Sequence, residues 1–246
     1  MSIDYSFGTP AVAGVPRGSR HYRRAQQDRG AETRERLIMA ALDAFGRYGF
    51  EGSSTREIAR GADANLAAIV YHFGSKEALH LAVAEHVVTQ MRKRSGTLLV
   101  DIDARLDAGD MQKPEARQWL QRLTEDHVEK MVGDKEAELW GRFLMREQME
   151  PSPVFDITFA YMTQAHRTMN RLIALLLDQE ADDPIVAIRT FMLMGEVVIF
   201  CIAQPLVLRL LAKSAFGASD RSMIKRIASE NIDRILGTPL AGGVTG

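Results

Sequence analysis

The sequence predicts an all-α protein built from a small and a larger helical unit, and three observations carry that prediction. Apolar residues recur at three and four spacing along most of the chain, few stretches alternate with period two, and Gly and Pro fall mostly at ends and breaks. A chain of 246 residues can bury a sizeable core and suits one small unit plus one larger one. The single Cys201 lies in an apolar run and reads as a small buried hydrophobe, so no disulfide framework or Cys-based zinc site can form within one chain.

Charge divides the chain. Residues 1–94 hold 14 Lys/Arg against 10 Asp/Glu, a net of +4, and residues 95–246 hold 17 against 22, a net of −5; together they make the overall −1. A local basic surplus of this kind suits a polyanionic partner for the N-terminal part only.

The elements follow in chain order. Residues 1–31 contain turn formers and no helical apolar stripe, which predicts a flexible arm. Arg17, Arg20, Arg23, Arg24 and Arg29 gather in its second half; such arms either read a minor groove through Arg or remain solvated tails. No apolar leader segment stands in residues 1–30, so a cytoplasmic location is expected. A helix is predicted from Glu32 to Gly49, with Leu37, Ile38, Ala41, Leu42, Phe45 and Tyr48 on its packing face. Gly49 stops it, and Phe50 returns as the apolar residue after the stop.

Residues 54–79 are the most informative stretch. A short helix at 54–61 carries Ile58 and Ala59 inward with Arg56 and Arg60 outward. Residues 61–64 break it, Asn65 is a good cap for a second helix at 65–72, and Ser75 caps a third whose first turn carries Lys76. Two short helices joined by a three- to four-residue turn are the helix-turn-helix that reads DNA.

This window resembles the TetR family of one-component transcriptional regulators. Thr55, Ile58, Ala59, Ala62, Ile69, Tyr71, His72, Phe73, Ser75, Lys76, Glu77 and Leu79 stand at the family's motif positions. Three positions depart from it. Asp63 replaces the turn glycine and is among the few residues that tolerate a left-handed backbone. Asn65 replaces the capping Ser, and Val70 replaces the first Tyr of a pair, losing a phosphate-contacting hydroxyl.

DNA-binding positions are expected at Arg23 and Arg24 of the arm and at Thr55, Arg56, Asn65, Leu66, Ala67, Ala68, Tyr71, His72 and Lys76, and the resemblance implies that Arg56 stands at a base-contacting position. With Ile69 and Phe73 facing the core, Leu66, Ala67, Ala68 and Tyr71 are left toward the groove, where Ala67 and Ala68 can take thymine methyls. Few of these side chains form bidentate bonds to bases, so Arg56 is the expected guanine reader. Asn65 either caps or reads adenine. His72 and Lys76 are expected at phosphates, beside the positive end of the next helix, although His72 also reads as a packed histidine.

The helix from Ser75 to about Ser95 takes Leu79, Leu81, Ala82, Val83, Val87, Val88 and Met91 as its apolar side. By resemblance, it transmits ligand occupancy to the DNA-reading unit. Residues 98–106 either continue it or form a short helix, and further helices are predicted at 114–132, 135–149, 153–179, 184–214 and 219–236. Asp134, Ser152, Asp183 and Ser219 are the expected caps, and Pro114, Pro153 and Pro184 fit first-turn positions.

Two segments, 139–155 and 192–211, resemble the C-terminal domain of the CecR-type branch, through Phe143-Leu144-Met145-Arg146-Glu147-Gln148 and Gly195-Glu196. Control of efflux or drug-sensitivity genes is what that likeness implies. Glu196 interrupts an apolar run at 191–203, and an isolated buried carboxylate is too costly to leave unpaired. Arg146 or His166 is therefore its expected partner in an effector pocket walled by Trp140, Phe143, Phe159, Met162, Met192 and Met194. An ordinary helix core with one buried ion pair is the alternative.

The apolar 191–211 run also contains Glu196, Gln204, Pro205 and Arg209, which make a membrane span costly. Helices near 184–214 and 219–236 are instead expected to pair with their mates in a homodimer. An α-helical enzyme is the rival class. One Glu-x-x-His, Glu77 to His80, lacks the second pair and extra carboxylates that a di-iron bundle needs, and no nucleophile elbow, P-loop or Gly-rich dinucleotide turn occurs.

The expected organisation is an arm at 1–31, a helix-turn-helix unit at 32–79, an effector-binding and dimerisation unit at 80–237, and a disordered tail at 238–246. Its expected partners are double-stranded operator DNA, a small and largely apolar effector and a second copy of itself, with no cofactor or metal and no membrane. The expected function is a repressor that releases a near-palindromic operator on effector binding; an activator or a ligand-independent DNA-binding regulator is the alternative.

Overall fold

The structure is a computed structural model that describes the backbone of residues 17–237 and the side chains of residues 28–236. Among them run α1 (Arg17–Gly52), α2 (Thr55–Gly61), α3 (Leu66–Phe73), α4 (Lys76–Ser95), α5 (Leu98–Asp107) and α6 (Lys113–Met131). Then follow α7 (Lys135–Met149), α8 (Phe155–Leu177), α9 (Pro184–Ile202), α10 (Gln204–Leu210) and α11 (Ala218–Gly237), with no strand among the described residues. The all-α prediction holds.

Local chemistry sets most boundaries. Gly49, at φ 72 and ψ 176, kinks the end of α1, and any side chain there is strained by the left-handed backbone although there is room for a Cβ beside Glu150 and Arg146. Asn65, Ser75, Asp134 and Asp183 cap α3, α4, α7 and α9 by accepting the first free amides. Gly96, at φ 55, separates α5 from α4.

Several expectations are corrected. α1 begins at Arg17, well before Glu32, so residues 17–31 are helical rather than an irregular arm; residues 1–16 and 238–246 lie outside the described residues. The predicted 184–214 helix breaks at Ala203, one residue before Gln204 and Pro205 start α10, because a proline cannot continue an established ladder. Ser152 does not cap α8; its hydroxyl donates to Glu147 at 2.6 Å. Ser219 lies inside α11, and Asp220 instead takes the Gly217 amide at 2.8 Å. Leu81 and Tyr48 are exposed, 40% and 59%, because α4 and α1 are covered on adjacent faces only.

Packing joins the N-terminal helices to α7. Leu37, Leu42, Phe45, Ile58, Ile69, Leu79 and Val83 form one core with Trp140 and Phe143 of α7. The helices approach closely at Gly46, where a Cβ would lie 3.2 Å from the Phe143 amide nitrogen. A second core fills the space among α5, α6, α8, α9 and α11 around Ile102, Leu120, Leu172 and Val186. Gly141 of α7 meets Cys201 of α9 so tightly that an added Cβ would overlap the sulfur. Burial pushes the Cys201 thiol up to about 11, with Glu138 adding to the effect, which fits an inert packing role.

Candidate nucleic-acid interface and effector cavity

The turn between α2 and α3 takes the left-handed backbone anticipated at Asp63, whose φ is 49. Asn65 Oδ1 accepts the Ala68 amide at 2.8 Å, so this side chain is engaged as a cap. Ile69 is buried and anchors α3, while Leu66, Val70 and Tyr71 are 45%, 64% and 84% exposed and Ala67 is exposed beside them. Ala68 does not join that face; it packs against the core, as the half-buried Phe73 does. Val70 takes its place in an apolar strip that α3 presents to solvent.

Basic groups flank the strip. Arg56 is exposed at the start of α2 and makes no ion pair or hydrogen bond among the described residues, whereas Thr55 beside it is half-buried. Lys76 holds its ammonium 4.4 Å from the centre of the Phe50 ring, and Arg34 lies 5.1 Å over Phe73. His72 is half-buried between Tyr71, in an edge contact at 4.9 Å, and α1 near Gly30. The side chains of Arg23 and Arg24 lie outside the described residues.

Beneath this unit sits a buried cluster missed by sequence reasoning. His80 Nε2 stands 3.1 Å from Glu147 Oε1, and both side chains are almost wholly buried. Phe45, Phe50 and Phe143 surround the imidazole at 4.5, 4.9 and 5.6 Å. Burial opposes ionisation of Glu147, but His80 and the Ser152 hydroxyl hold its carboxyl below the usual range. Glu77-x-x-His80 is the only local signal at this histidine, and it gives no hint of Glu147, the carboxylate that meets the imidazole.

A cavity of about 130 Å³ lies among α4, α6, α7, α8 and α9. Six methionines, Met91, Met131, Met145, Met162, Met169 and Met194, give it a soft and adaptable wall. Trp140 and Tyr161 supply aromatic faces. Its polar groups form a chain in which Lys130 donates to Ser95 Oγ at 2.6 Å and pairs with Asp126, and the Ser95 and Tyr161 hydroxyls are 3.2 Å apart. Burial raises the Tyr161 phenol. Two enclosed nitrogens, Trp140 Nε1 and His127 Nε2, have no protein partner, at a cost on the order of 1–3 kcal/mol each. Burial pushes His127 down to about 4, with Lys130 and His166 adding to it. Above the cavity Arg94 stacks 4.3 Å from Trp140 and donates to Asp134 and Glu136 at 2.8 and 2.7 Å.

Known proteins share both units. Residues 37–83 match the family described as "Bacterial regulatory proteins, tetR family", and residues 116–238, half of the chain, match the C-terminal domain of the HTH-type transcriptional dual regulator CecR. The chain belongs to the TetR family, with a CecR-type C-terminal domain. CecR of Shigella flexneri is 28% identical over 209 residues, 85% of this chain and 93% of the relative. The transcriptional repressor NicS of Pseudomonas putida is 38% identical over 79 residues, 32% of this chain and 36% of its own. Among solved structures, PfmR of Thermus thermophilus, a TetR-family regulator, superposes at a TM-score of 0.55 with 16% identity, covering 85% of this chain and 98% of its own. AibR, solved with isovaleryl coenzyme A and operator DNA, gives 0.55 at 14% identity, covering 79% and 97%. Membership makes the chain a DNA-binding transcriptional regulator rather than an enzyme.

For this TetR-family chain the expected pocket is largely redrawn. Trp140, Met162 and Met194 line the cavity. Phe143 is buried in the N-terminal core, and Phe159 is 52% exposed and stacked on Phe155 at 5.4 Å. Met192 is 57% exposed and lies outside the cavity wall. Arg146 does not reach Glu196: it donates to the Arg47 carbonyl at 3.0 Å, satisfying the end of α1, and meets Glu150 at 3.4 Å. His166 bonds the Met162 carbonyl at 2.8 Å and packs on Phe191. Glu196 accepts from Asn231 Nδ2 at 3.1 Å and is only half-buried, which removes the need for a cation. Hydropathy alone could not separate these faces, because α9 is apolar nearly all round.

Proposed function

We propose that this TetR-family chain is a homodimeric, ligand-responsive repressor that releases a near-palindromic operator when a small, largely apolar effector enters the cavity. One observation carries the reading: α4 begins at Lys76, beside the exposed strip of α3, and ends with Met91 and Ser95 in the cavity wall. Its 20 residues span about 30 Å as one rigid rod, so a shift at the cavity end moves the recognition end.

In this reading Arg56 reads a base, Leu66, Ala67 and Val70 meet thymine methyls, and Tyr71, His72 and Lys76 hold phosphates. Dimer formation is supported by an uncovered apolar stripe. Ile188, Phe191, Met192 and Ile199 of α9 are 60%, 65%, 57% and 48% exposed, and Met223 and Ile227 of α11 are each 47% exposed. Gly195 sits within the stripe with open space above it, which lets a facing helix approach. α9 is long and apolar enough to cross a membrane by length and composition, but Arg189 and Glu196 on it suit a second copy better than lipid. A cytoplasmic location follows from this reading.

Selection of bound sequences from random DNA, followed by anisotropy titration of the winner, tests the proposal. The expected site is an inverted repeat bound by a dimer with strong salt dependence. Monomeric, salt-insensitive binding to a non-palindromic site overturns it. A second reading rests on the Shigella relative's description as a dual regulator: the same DNA grip then activates at some promoters. Transcript levels in a deletion strain, set against footprint positions, separate the two.

A further inference from the structure

The cavity's charges are already spent on each other. Among the residues that line it, Asp126 and Lys130 are the ionised groups, and they form an ion pair in which the lysine also holds Ser95. Two arginines stand beside its walls: Arg94 is bound to Asp134 and Glu136, and Arg92, 5.9 Å over the Tyr161 ring, is solvent-exposed rather than part of the lining. Against this neutral background stand the two unpartnered nitrogens, on Trp140, which is 1% exposed, and on His127, whose Nε2 is enclosed although part of the residue is exposed. A charged ligand would enter without a counter-charge, and an isolated charge in an apolar cavity is too costly.

We infer that the effector is an uncharged molecule, with an aromatic or aliphatic body against the methionines and one neutral polar head that bonds Trp140 Nε1 and His127 Nε2. Trp140 can only donate and His127 can donate or accept, so the head is an amide, ketone, hydroxyl or similar group. The burial that keeps His127 uncharged near neutral pH agrees with this. The size is modest, because about 130 Å³ is comparable with the ~150 Å³ engineered void that admits benzene. The inference rests on the cavity being the effector site.

Calorimetric titration of the full-length protein with three probes tests it: benzamide, its isosteric anion benzoate, and benzene, which lacks the head. The expected order is amide first, with the benzoate weaker by at least about tenfold, and benzene also weaker than the amide. In His127→Leu the amide's advantage over benzene shrinks. Benzoate binding as tightly as the amide, or tighter, overturns the uncharged class and leaves the cavity as the effector site. Binding by none of the three, with no change in Trp140 emission in a Trp119→Phe background, overturns the cavity reading and this inference with it.

Discussion

At the scale of single residues, the proposed function gives Arg56 and Lys76 two separate tasks that both need positive charge. Arg56 is exposed and unpaired among the described residues, so its fork is free for a base edge, whereas Lys76 is held over Phe50 as a point charge. Arg56→Ala is expected to lose about 1–3 kcal/mol of discrimination on operator DNA while binding to random DNA changes little. Lys76→Ala should weaken both equally and reduce the salt slope by about one. Equal losses on both DNAs for Arg56→Ala would remove its reading role. His127 sets a pH signature. Its folded value, about 4, lies below the free value of 6.5, so the unfolded chain takes up the proton first. The stability it contributes is complete above about pH 6.5 and is lost as pH falls toward 4. His127→Phe should flatten that interval in a series of thermal melts. Gly49 is set by backbone alone: at φ 72 any Cβ is strained, and Gly49→Ala should cost about 1–2 kcal/mol by denaturant titration.

At the scale of elements, α4 is the member shared by both ends of the molecule. At its start His80 meets Glu147 of α7 inside an aromatic cage, and at its end Arg94 ties to the first turn of α7 and covers Trp140. Removing one partner of a buried pair leaves the other uncompensated. Glu147→Leu should therefore destabilise the chain by about 3 kcal/mol or more. Arg94→Met keeps much of the stem but breaks the two carboxylate bonds. We expect it to blunt ligand-induced release while operator affinity without ligand is kept, as read by anisotropy with and without probe. The α7–α9 crossing is equally specific: Gly141→Val should overpack against Cys201 and lower the melting temperature.

At the scale of the whole molecule, the proposed homodimer would cover the exposed apolar faces of α9 and α11. Phe191→Glu together with Ile227→Glu should yield monomers in sedimentation and cost operator affinity far more than single-site loss, because two reading units act through one linkage. A dimer that persists would place the interface elsewhere. Joint packing of the N-terminal helices with α7 also means that the helix-turn-helix is not an independent bead on a tether. In the proposed mechanism, movement of α7 at the cavity is passed to it through this shared core.

The sequence by itself determined the local features: the helix periods, the caps at Asn65, Ser75, Asp134 and Asp183, the left-handed turn at Asp63, the stop at Gly49 and the family of the N-terminal unit. Each depends on neighbours within about one helical turn, so spacing records it. Only the tertiary structure decided which apolar face is core, cavity or interface. Phe143, Phe159 and Met192 look alike in sequence and lie in three different environments, because helix packing angles and the close approaches at Gly46 and Gly141 choose among faces of equal hydropathy. The same holds for polar partners. Glu147 found His80 across two intervening helices, and Arg146 turned to the end of α1 rather than to Glu196. Such pairs form where helices cross, and crossings leave no period in the chain.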